Sequence, residues 1–222
     1  MLQYILIRHG ESTANKDETV RQYTAECDIP LTVEGIAQSV EVAKRIQPLV
    51  QTSPITVILS PYLRAKQTFH HINQQLQANI SEISEDVRLR ELDYGKLHAR
   101  TDEQHDECKR EIVRKGSVYY YQYPDGESYT TLQTRLATLN NEILGEWRER
   151  DYPDQIILMI AHAHVLAAWD VLLMKKDIKE VNYKMSNCQV KHYYKEKGII
   201  EHFLFYIPSI LVEKTRETIP SV

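Results

Sequence analysis

The apolar run YILI at residues 4–7 ends directly in the polar sequence RHGES at residues 8–12. Such a run is typical of a short buried strand, which is predicted over residues 2–8. Ligands of open α/β sheets bind at the carboxyl ends of the strands. The start of the chain therefore predicts that Arg8 and His9 are presented at the ligand-binding edge of a sheet.

These polar residues have the chemistry of an anion site. The guanidinium of Arg8 offers a fork of donors that matches phosphate oxygens, and a neutral imidazole such as that of His9 can attack phosphorus. Gly10 would let backbone N–H groups approach an anion closely. A strand that happens to end in a polar turn would contain the same residues, so this motif alone leaves both interpretations open.

Two later apolar runs also lead into polar, cationic residues. The run at residues 55–59 is followed by a predicted helix with Arg64 in its first turn, and the run at residues 156–161 is followed by His162. The carboxyl ends of parallel strands meet at one edge of a sheet. These two side chains and Arg8 are therefore predicted to surround a single phosphoryl group.

The remaining elements complete an alternating pattern. Beyond the strands above, the predictions are a loop over 13–30, a helix capped by Thr32 and running to Pro48, a helix capped by Ser60, a weak strand over 82–89, helices over 132–147 and 165–174, and a hairpin over 189–206. Alternating strands and helices predict an α/β fold, a three-layer α/β/α sandwich around a mainly parallel sheet. One domain is expected over residues 1–222, with an insertion at about 96–130 that forms a lid or pocket wall.

Composition limits the possible partners. The chain has 222 residues, 42% of them hydrophobic, and a formal net charge of -4, so neither nucleic acid nor an anionic membrane is an expected partner. The three cysteines are widely spaced, which favours reduced thiols in a cytoplasmic compartment. No signal-peptide pattern is recognised, and no apolar run approaches the ~20 residues that span a bilayer.

Five blocks of residues, in order, carry a family pattern. They are Arg8-His9-Gly10-Glu11-Ser12 with Asn15; Asp28-Ile29-Pro30-Leu31-Thr32 with Gly35 and Gln38; Ser60-Pro61 with Arg64-Ala65 and Gln67-Thr68; Leu89-Arg90-Glu91 with Gly95; and Ile160-Ala161-His162. In this order they resemble the histidine phosphatase superfamily, in its phosphoglycerate mutase-like branch. The resemblance extends from Leu2 to about Tyr194.

The resemblance implies a metal-independent phosphatase that hydrolyses a phosphate monoester, with no cofactor. His9 would attack phosphorus and become a phosphohistidine, and Glu91 would donate the proton to the leaving group. A carboxyl group that is protonated near neutral pH needs a raised pKa, which an adjacent phosphate dianion would supply. The residues expected to bind the phosphate are Arg8, Gly10, Asn15, Arg64, His162 and Ala163.

Two residues depart from the family pattern, and the second of them affects the reaction type. Ala163 stands where the family usually has glycine, and Leu92 stands where true mutases usually have an arginine that contacts the substrate carboxylate. The second departure favours hydrolysis of a small phosphorylated metabolite over mutase activity. A phosphoglycerate mutase and a catalytically silent phosphate-binding module remain as alternatives.

The substrate pocket is predicted from loop residues. We expect it to be shaped by Arg21, Tyr23, Lys96, His98, Arg100 and the tyrosine-rich segment 119–123, which includes Tyr121 and Tyr123. The tyrosines are interpreted as core and pocket wall and not as a base-stacking surface, because no basic stripe accompanies them. His162 and His164 have a spacing that could suit a metal, but no acidic cluster completes a ligand set, so no metal is expected. The protein is expected to be a monomer or a homodimer.

Overall fold

A computed structural model describes residues 1–51, 53–97, 107–108, 110–112, 114, 121–149, 154–175, 185–196 and 199–205. Within these ranges, the strands form one six-stranded sheet in the order β3-β2-β4-β1-β5-β6. The strands are β1 (Leu2–Arg8), β2 (Ile55–Leu59), β3 (Ile80–Glu85), β4 (Gln155–Ala161), β5 (Val190–Glu196) and β6 (Ile199–Phe205). The first four in the spatial order are parallel, and β5 and β6 are antiparallel to their neighbours. The mainly parallel sheet is confirmed.

Helices cover both faces of this sheet. In the described part of the chain they are α1 (Thr13–Lys16), α2 (Val33–Ile46), α3 (Leu63–Asn73), α4 (Tyr129–Glu149) and α5 (Ala163–Met174). Side chains of a strand alternate between its two faces. In β1, Tyr4 and Leu6 pack into the cluster that includes α4 and α5, whereas Ile5 and Ile7 pack into the cluster that includes α2 and α3. The three-layer α/β/α sandwich is therefore confirmed.

The register of the central strands brings their carboxyl ends together. Arg8 at the end of β1 is opposite Ala161 at the end of β4. The N–H of His9 donates to the Ala161 carbonyl at 3.0 Å, and the N–H of Ser60 donates to the Ile160 carbonyl at 3.0 Å. The polar residues that follow β1, β2 and β4 thus lie side by side at one edge of the sheet.

Several local predictions were wrong in detail. Ser60 does not cap a helix: α3 begins at Leu63 after Tyr62, and the Ser60 hydroxyl lies 2.7 Å from His162 Nε2. The weak strand predicted over 82–89 is β3 at Ile80–Glu85, followed by a 3-10 turn at Val87–Leu89. The segment 13–30, predicted as loop, contains α1 and two 3-10 turns, because Ser12 and Asp17 provide side-chain caps there.

Other sequence predictions fall outside the described residues. These include His98, Arg100, Tyr119, Tyr120 and about half of the predicted 96–130 insertion, whose role stays a prediction. In the part of the chain that the structure describes, none of the helices combines the length and the apolar character that a membrane crossing requires.

Candidate active site

His9 lies at the centre of this sheet edge and is almost completely buried. Its Nδ1 lies 2.7 Å from the carbonyl oxygen of Gly10, so Nδ1 carries the proton and donates to that carbonyl. Burial, followed by the positive charges of Arg64 and Arg8, holds the pKa of His9 well below the ordinary value of 6.5. The ring is therefore neutral, with the lone pair on Nε2, which is the form that a nucleophile on phosphorus requires.

The glycine after His9 is needed for backbone packing. A Cβ atom on Gly10 would lie 2.4 Å from the carbonyl oxygen of Gly35, at the start of α2. The N–H of Gly10 donates to the hydroxyl of Thr68 at 3.0 Å. In this structure Gly10 therefore fixes the turn that carries His9 against α2 and α3, and its part in phosphate binding stays a prediction.

Arg64, the second residue of α3, points its guanidinium at His9. Its Nε donates to His9 Nε2 at 3.2 Å, and the side chain is almost fully buried. Its other two nitrogens donate to Glu26: Nη1 to the backbone carbonyl at 2.7 Å and Nη2 to the carboxylate Oε1 at 2.6 Å. Arg64 thus lies where it could contact a phosphoryl group on His9, and its donors are engaged by Glu26 in the absence of phosphate.

Glu26 is a residue that the sequence reasoning missed. Its carboxylate pairs with Arg64 on one side and lies 3.4 Å from Nε of Arg21 on the other. A bound phosphate dianion would compete with this carboxylate for the Arg64 guanidinium, because both anions use the same donors. No sequence block identified Glu26, since a single acidic residue in a polar segment is usually solvated.

His162 follows β4 and is the N-cap residue of α5. Its ring is fully buried, with the centroid 5.1 Å from that of His9, and its Nε2 lies 2.7 Å from the Ser60 hydroxyl. Burial and then the charge of Arg64 lower the pKa of His162 well below 6.5. The first turn of α5 begins at Ala163, so the helix N-terminus also points its backbone donors and dipole toward this edge, a geometry that favours anions.

Two buried nitrogens of this cluster lack hydrogen-bond partners among the described residues. They are Nε of Arg8 and Nδ1 of His162, which is a donor in the tautomer whose Nε2 accepts from the Ser60 hydroxyl. Arg8 also donates through Nη1 to the backbone carbonyl of Met185, which fixes the side chain beside β5. Buried polar groups are rarely left unpaired, because each unpaired group costs ≈ 1–3 kcal/mol. An anion with several acceptor oxygens, placed between these side chains, would satisfy both.

Asn15 lies at the rim of the same cluster. Its Oδ1 accepts from the N–H of Ser12 at 3.1 Å, as part of the cap of α1, and from Nδ2 of Asn187 at 3.0 Å. Asn187 also donates to the His9 carbonyl at 3.3 Å. Asn15 therefore links the segment after His9 to the turn before β5.

Glu91 approaches the cluster from the loop after β3. Its Oε1 accepts from the N–H of Leu92 at 2.9 Å, and its Oε2 lies 3.4 Å from Nδ1 of His164. Burial raises the pKa of this carboxyl, but the contact with His164, the Leu92 N–H and the charge of Arg64 outweigh burial and leave the pKa below its ordinary value of 4.5. In the absence of phosphate, Glu91 is therefore ionised.

A buried pair, Arg135 and Glu127, holds the backbone that carries Glu91. Arg135, on α4, donates to the carbonyls of Arg88 and Arg90 and, at 3.3 Å, of Glu91. Glu127 accepts from Arg135 Nε at 2.9 Å and from Arg90 Nη2 at 2.6 Å. This pair, which sequence reasoning missed, anchors the Glu91 segment to α4.

The residues predicted to shape the substrate pocket fall into two groups. Tyr23 and Lys96 are strongly exposed, and Lys96 pairs with Asp125, whereas Arg21 is half-buried beside Glu26. Tyr121 and Tyr123 are buried in the core cluster that includes α4 and α5. Their contact with a substrate stays a prediction. Within the described ranges, no three His, Cys, Asp or Glu side chains are grouped so that they could hold a metal ion.

Comparison with known proteins identifies the class to which this fold and site belong. The model of the histidine phosphatase superfamily (branch 1) matches residues 4–201. The chain therefore belongs to the histidine phosphatase superfamily, as its sequence blocks predicted. The matched range includes His9, Arg64, Glu91 and His162, which the structure brings to one edge of the sheet.

The two sequence relatives compared next carry phosphoglycerate mutase names. The chain is 28% identical over 157 residues to the phosphoglycerate mutase-like protein AT74H of Arabidopsis thaliana, covering 66% of this chain and 54% of that one. It is 31% identical over 195 residues to the probable phosphoglycerate mutase GpmB of Proteus mirabilis, covering 86% and 83%. The chain thus spans about half the length of the plant relative.

A solved structure shares the fold. The mycobacterial glucosyl-3-phosphoglycerate phosphatase in complex with inorganic phosphate superposes with a TM-score of 0.68 at 21% identity, covering 92% of this chain and 95% of that one. This likeness extends the fold assignment to nearly the whole chain.

Proposed function

We propose that this protein is a metal-independent phosphatase that hydrolyses a phosphate monoester through a phosphohistidine at His9. The observation that carries the proposal is the environment of His9: a neutral ring, oriented by the Gly10 carbonyl, with Arg64 Nε 3.2 Å from its Nε2. The unpaired donors of Arg8 and His162 lie in the same cluster. Together these groups offer a nucleophile and the positive charge that a phosphoryl group in transit requires.

In the first step, His9 Nε2 attacks phosphorus and the ester oxygen leaves. Arg8, Arg64 and His162 bind the equatorial oxygens, whose charge grows in the transition state. The leaving oxygen takes a proton from Glu91, which must first be protonated. The approach of a phosphate dianion favours this, since a like charge beside a carboxylate raises its pKa. The products of the step are the alcohol and phospho-His9.

In the second step, water attacks the phosphohistidine. Glu91, ionised after the first step, accepts the proton of that water, the P–N bond breaks, and phosphate leaves with His9 restored. One water is consumed for each ester cleaved. Arg8 and Arg64 supply the positive charge, so the scheme requires no metal ion and no cofactor.

A phosphoglycerate mutase is the second candidate, and the names of the relatives favour it. A mutase must hold the carboxylate of phosphoglycerate. The residue after Glu91, where the mutase pattern has an arginine, is Leu92, whose side chain is buried in the core cluster. The Leu92 side chain cannot bind a carboxylate, and its presence therefore supports hydrolysis over mutase activity. A silent phosphate-binding module is the third candidate, and the presence of Glu91 beside the pocket argues against it.

The substrate class follows from the proposed chemistry. We infer a small phosphorylated metabolite in the cytoplasm, acted on by a monomer or a homodimer. The named substrate of the mycobacterial structural relative is itself a phosphorylated small molecule. The particular metabolite depends on the loops around the leaving-group side of the pocket.

The experiment is hydrolysis of p-nitrophenyl phosphate by the wild type and by His9→Ala, with and without EDTA. The proposal predicts wild-type turnover that survives EDTA and a loss of about 10⁴-fold or more in His9→Ala, since removing a nucleophile abolishes its covalent route. The matched control is His70→Ala, a change at an exposed histidine near the end of α3, which retains full activity.

Three outcomes separate the candidates. EDTA-sensitive turnover contradicts metal-independent hydrolysis. Absence of turnover with retained phosphate binding supports the silent module. Phosphoryl exchange between positions of phosphoglycerate at a rate above hydrolysis supports the mutase.

A further inference from the structure

His164 is the second residue of α5, two positions after His162, and it contacts Glu91. Its Nδ1 lies 3.4 Å from Oε2 of Glu91, with 25% of the imidazole side chain and 14% of the carboxyl side chain exposed. At this burial the pair is shielded from bulk water on most sides. No sequence block identified His164, and the geometry now places it directly beside the predicted proton donor.

Aromatic residues hold the His164 ring in this position. The hydroxyl of Tyr94 lies 3.3 Å from its ring nitrogens, and the rings of Tyr94 and Tyr129 pack edge-on at centroid distances of 5.8 and 5.6 Å. Tyr94 in turn packs against Tyr123 at 4.9 Å, and Tyr123 packs against Tyr121 at 5.0 Å. A ring held in this way is pre-oriented toward Glu91 and does not sample the many rotamers of a surface histidine.

Glu91 needs a source for the proton that it donates. The carboxyl is ionised in the absence of phosphate, and its surroundings include Arg64 from α3 and Arg8 from β1, both cationic. Among the titratable groups that face the pair, Tyr94 comes from the same loop as Glu91 and Tyr129 comes from α4. In this described set, His164 is the residue whose ring nitrogen contacts the Glu91 carboxylate, and an imidazole can both give and take a proton.

We propose that His164 is a positioning and proton-relay residue for Glu91; this inference rests on the proposed phosphatase function. Protonated His164 passes its Nδ1 proton to Glu91 when the phosphate dianion enters, and Glu91 passes a proton to the leaving oxygen. In the hydrolytic step, the proton that Glu91 takes from water returns to His164 Nδ1. One proton thus leaves with the alcohol and one is recovered from water, so the pair is restored in each cycle.

The test compares two leaving groups in two variants. His164→Asn keeps an N–H donor near the position of Nδ1 but does not titrate, and His164→Leu removes the donor. p-Nitrophenolate leaves without help, whereas phenolate is more basic and needs a proton. We expect His164→Leu to lose about tenfold in kcat/KM with phenyl phosphate and less than about twofold with p-nitrophenyl phosphate. A tenfold loss is a part of the ~10²–10⁴-fold that general acid catalysis contributes in total.

The pH profile gives a second readout, which a purely structural role would not change. A carboxyl group ordinarily loses its proton at a lower pH than an imidazole. The alkaline limb of kcat/KM for phenyl phosphate should therefore move to lower pH in both variants. The rate itself should be higher in His164→Asn than in His164→Leu, because the amide still orients Glu91. His70→Asn is the matched control and leaves both the rates and the profile unchanged.

Two results would overturn the relay. One is an equal loss with both leaving groups, which would indicate damaged phosphate binding. The other is a pH profile for phenyl phosphate that does not move in either variant. These results differ from failure of the proposed function, because in that case wild-type turnover would be absent or would survive His9→Ala.

Discussion

The two sides of the pocket are built in different ways. The side proposed to bind phosphate, called the phosphate side, consists of Arg8, His9 and His162, at the ends of neighbouring strands, with Arg64 in the first turn of α3. The leaving-group side consists of Glu91, on the loop after β3, and His164, which faces it from α5. The first side is fixed by the register of the sheet, and the second depends on side-chain clamps such as Arg135 with Glu127.

This difference separates what the fold determines from what can vary. Every strand of a parallel sheet delivers its next residues to the same edge, so the phosphate side follows from the fold itself. The leaving-group side combines a loop, the first turn of α5 and the ring of Tyr94. Changes on the phosphate side should therefore affect all substrates alike, whereas changes on the leaving-group side should depend on the ester that is cleaved.

The largest effect that tests this contrast is expected from Glu91→Gln. The amide cannot donate a carboxylic proton, so kcat/KM for phenyl phosphate should fall by about 10²–10⁴-fold, with a much smaller loss for p-nitrophenyl phosphate. The matched control is Glu34→Gln on the exposed face of α2. Steady-state kinetics with both esters measures the effect, and an equal loss with the two esters would remove Glu91 from the leaving-group side.

On the phosphate side, Arg64→Lys should lower kcat/KM by about 10²–10³-fold for both esters. Lysine keeps the charge but lacks the planar fork whose Nε contacts His9 and whose other nitrogens are proposed to bind the phosphoryl oxygens. Arg45→Lys, at an exposed position of α2, is the control that should leave the rates unchanged. If the rates of Arg64→Lys stay within about threefold of the wild type, far less than the ~10²-fold loss expected, the guanidinium fork has no part in catalysis.

The buried histidines of the phosphate side predict a pH dependence of stability. The pKa of His9 in the folded protein lies well below 6.5. Above pH 6.5 neither the folded nor the unfolded state binds the proton, so the contribution of His9 to the free energy of unfolding is fully present. As the pH falls below 6.5, the unfolded state takes up a proton that the folded state refuses, and the free energy of unfolding decreases.

His9→Asn removes this contribution. Between about pH 6.5 and 5.5, the wild type should lose on the order of 1.4 kcal/mol per pH unit more than the variant, since one proton is involved. Urea unfolding in phosphate-free buffer at several pH values measures the difference, with His70→Asn as the control. Parallel curves for the wild type and His9→Asn would show that His9 titrates normally in the folded protein.

The smallest effect is expected from Glu26→Gln. Phosphate competes with this carboxylate for Arg64, so removing the charge should strengthen inhibition by inorganic phosphate roughly fivefold, which corresponds to on the order of 1 kcal/mol. Glu18→Gln, an exposed change in the same segment, is the control. An unchanged or weaker inhibition constant in Glu26→Gln would mean that Glu26 supports the phosphate site and does not compete with it.

Much of the fold could be predicted from the sequence, because β1, β2 and β4 are nearly continuous apolar runs that only a buried strand explains. The same runs predicted which polar residues would meet at the sheet edge. Ser60 was misassigned because a serine followed by proline is typical of a helix start, whereas its hydroxyl instead contacts His162.

The residues that the sequence did not reveal are those whose roles depend on long-range contacts. Glu26 and Arg64 are 38 positions apart, and Arg135 reaches the carbonyls of a segment more than 40 positions away. His164 is distinguished from an ordinary helix residue by its contacts with Glu91, Tyr94 and Tyr129. Periodicity and local motifs carry no information about such pairs, which arise when the loop after β3 packs against α4 and α5.

The most direct test of the account is to identify the covalent intermediate. The wild type would be mixed with excess p-nitrophenyl phosphate, quenched in alkali and digested, and the peptide that contains His9 examined by mass spectrometry. Covalent catalysis at His9 predicts one added phosphoryl group on His9 in the wild type, stable in alkali and lost in acid. In Glu91→Gln the amount of phosphorylated His9 should be larger if this change slows the hydrolytic step more than the first step. Turnover without any phosphoryl group on His9, or with one on another residue, would contradict the central claim.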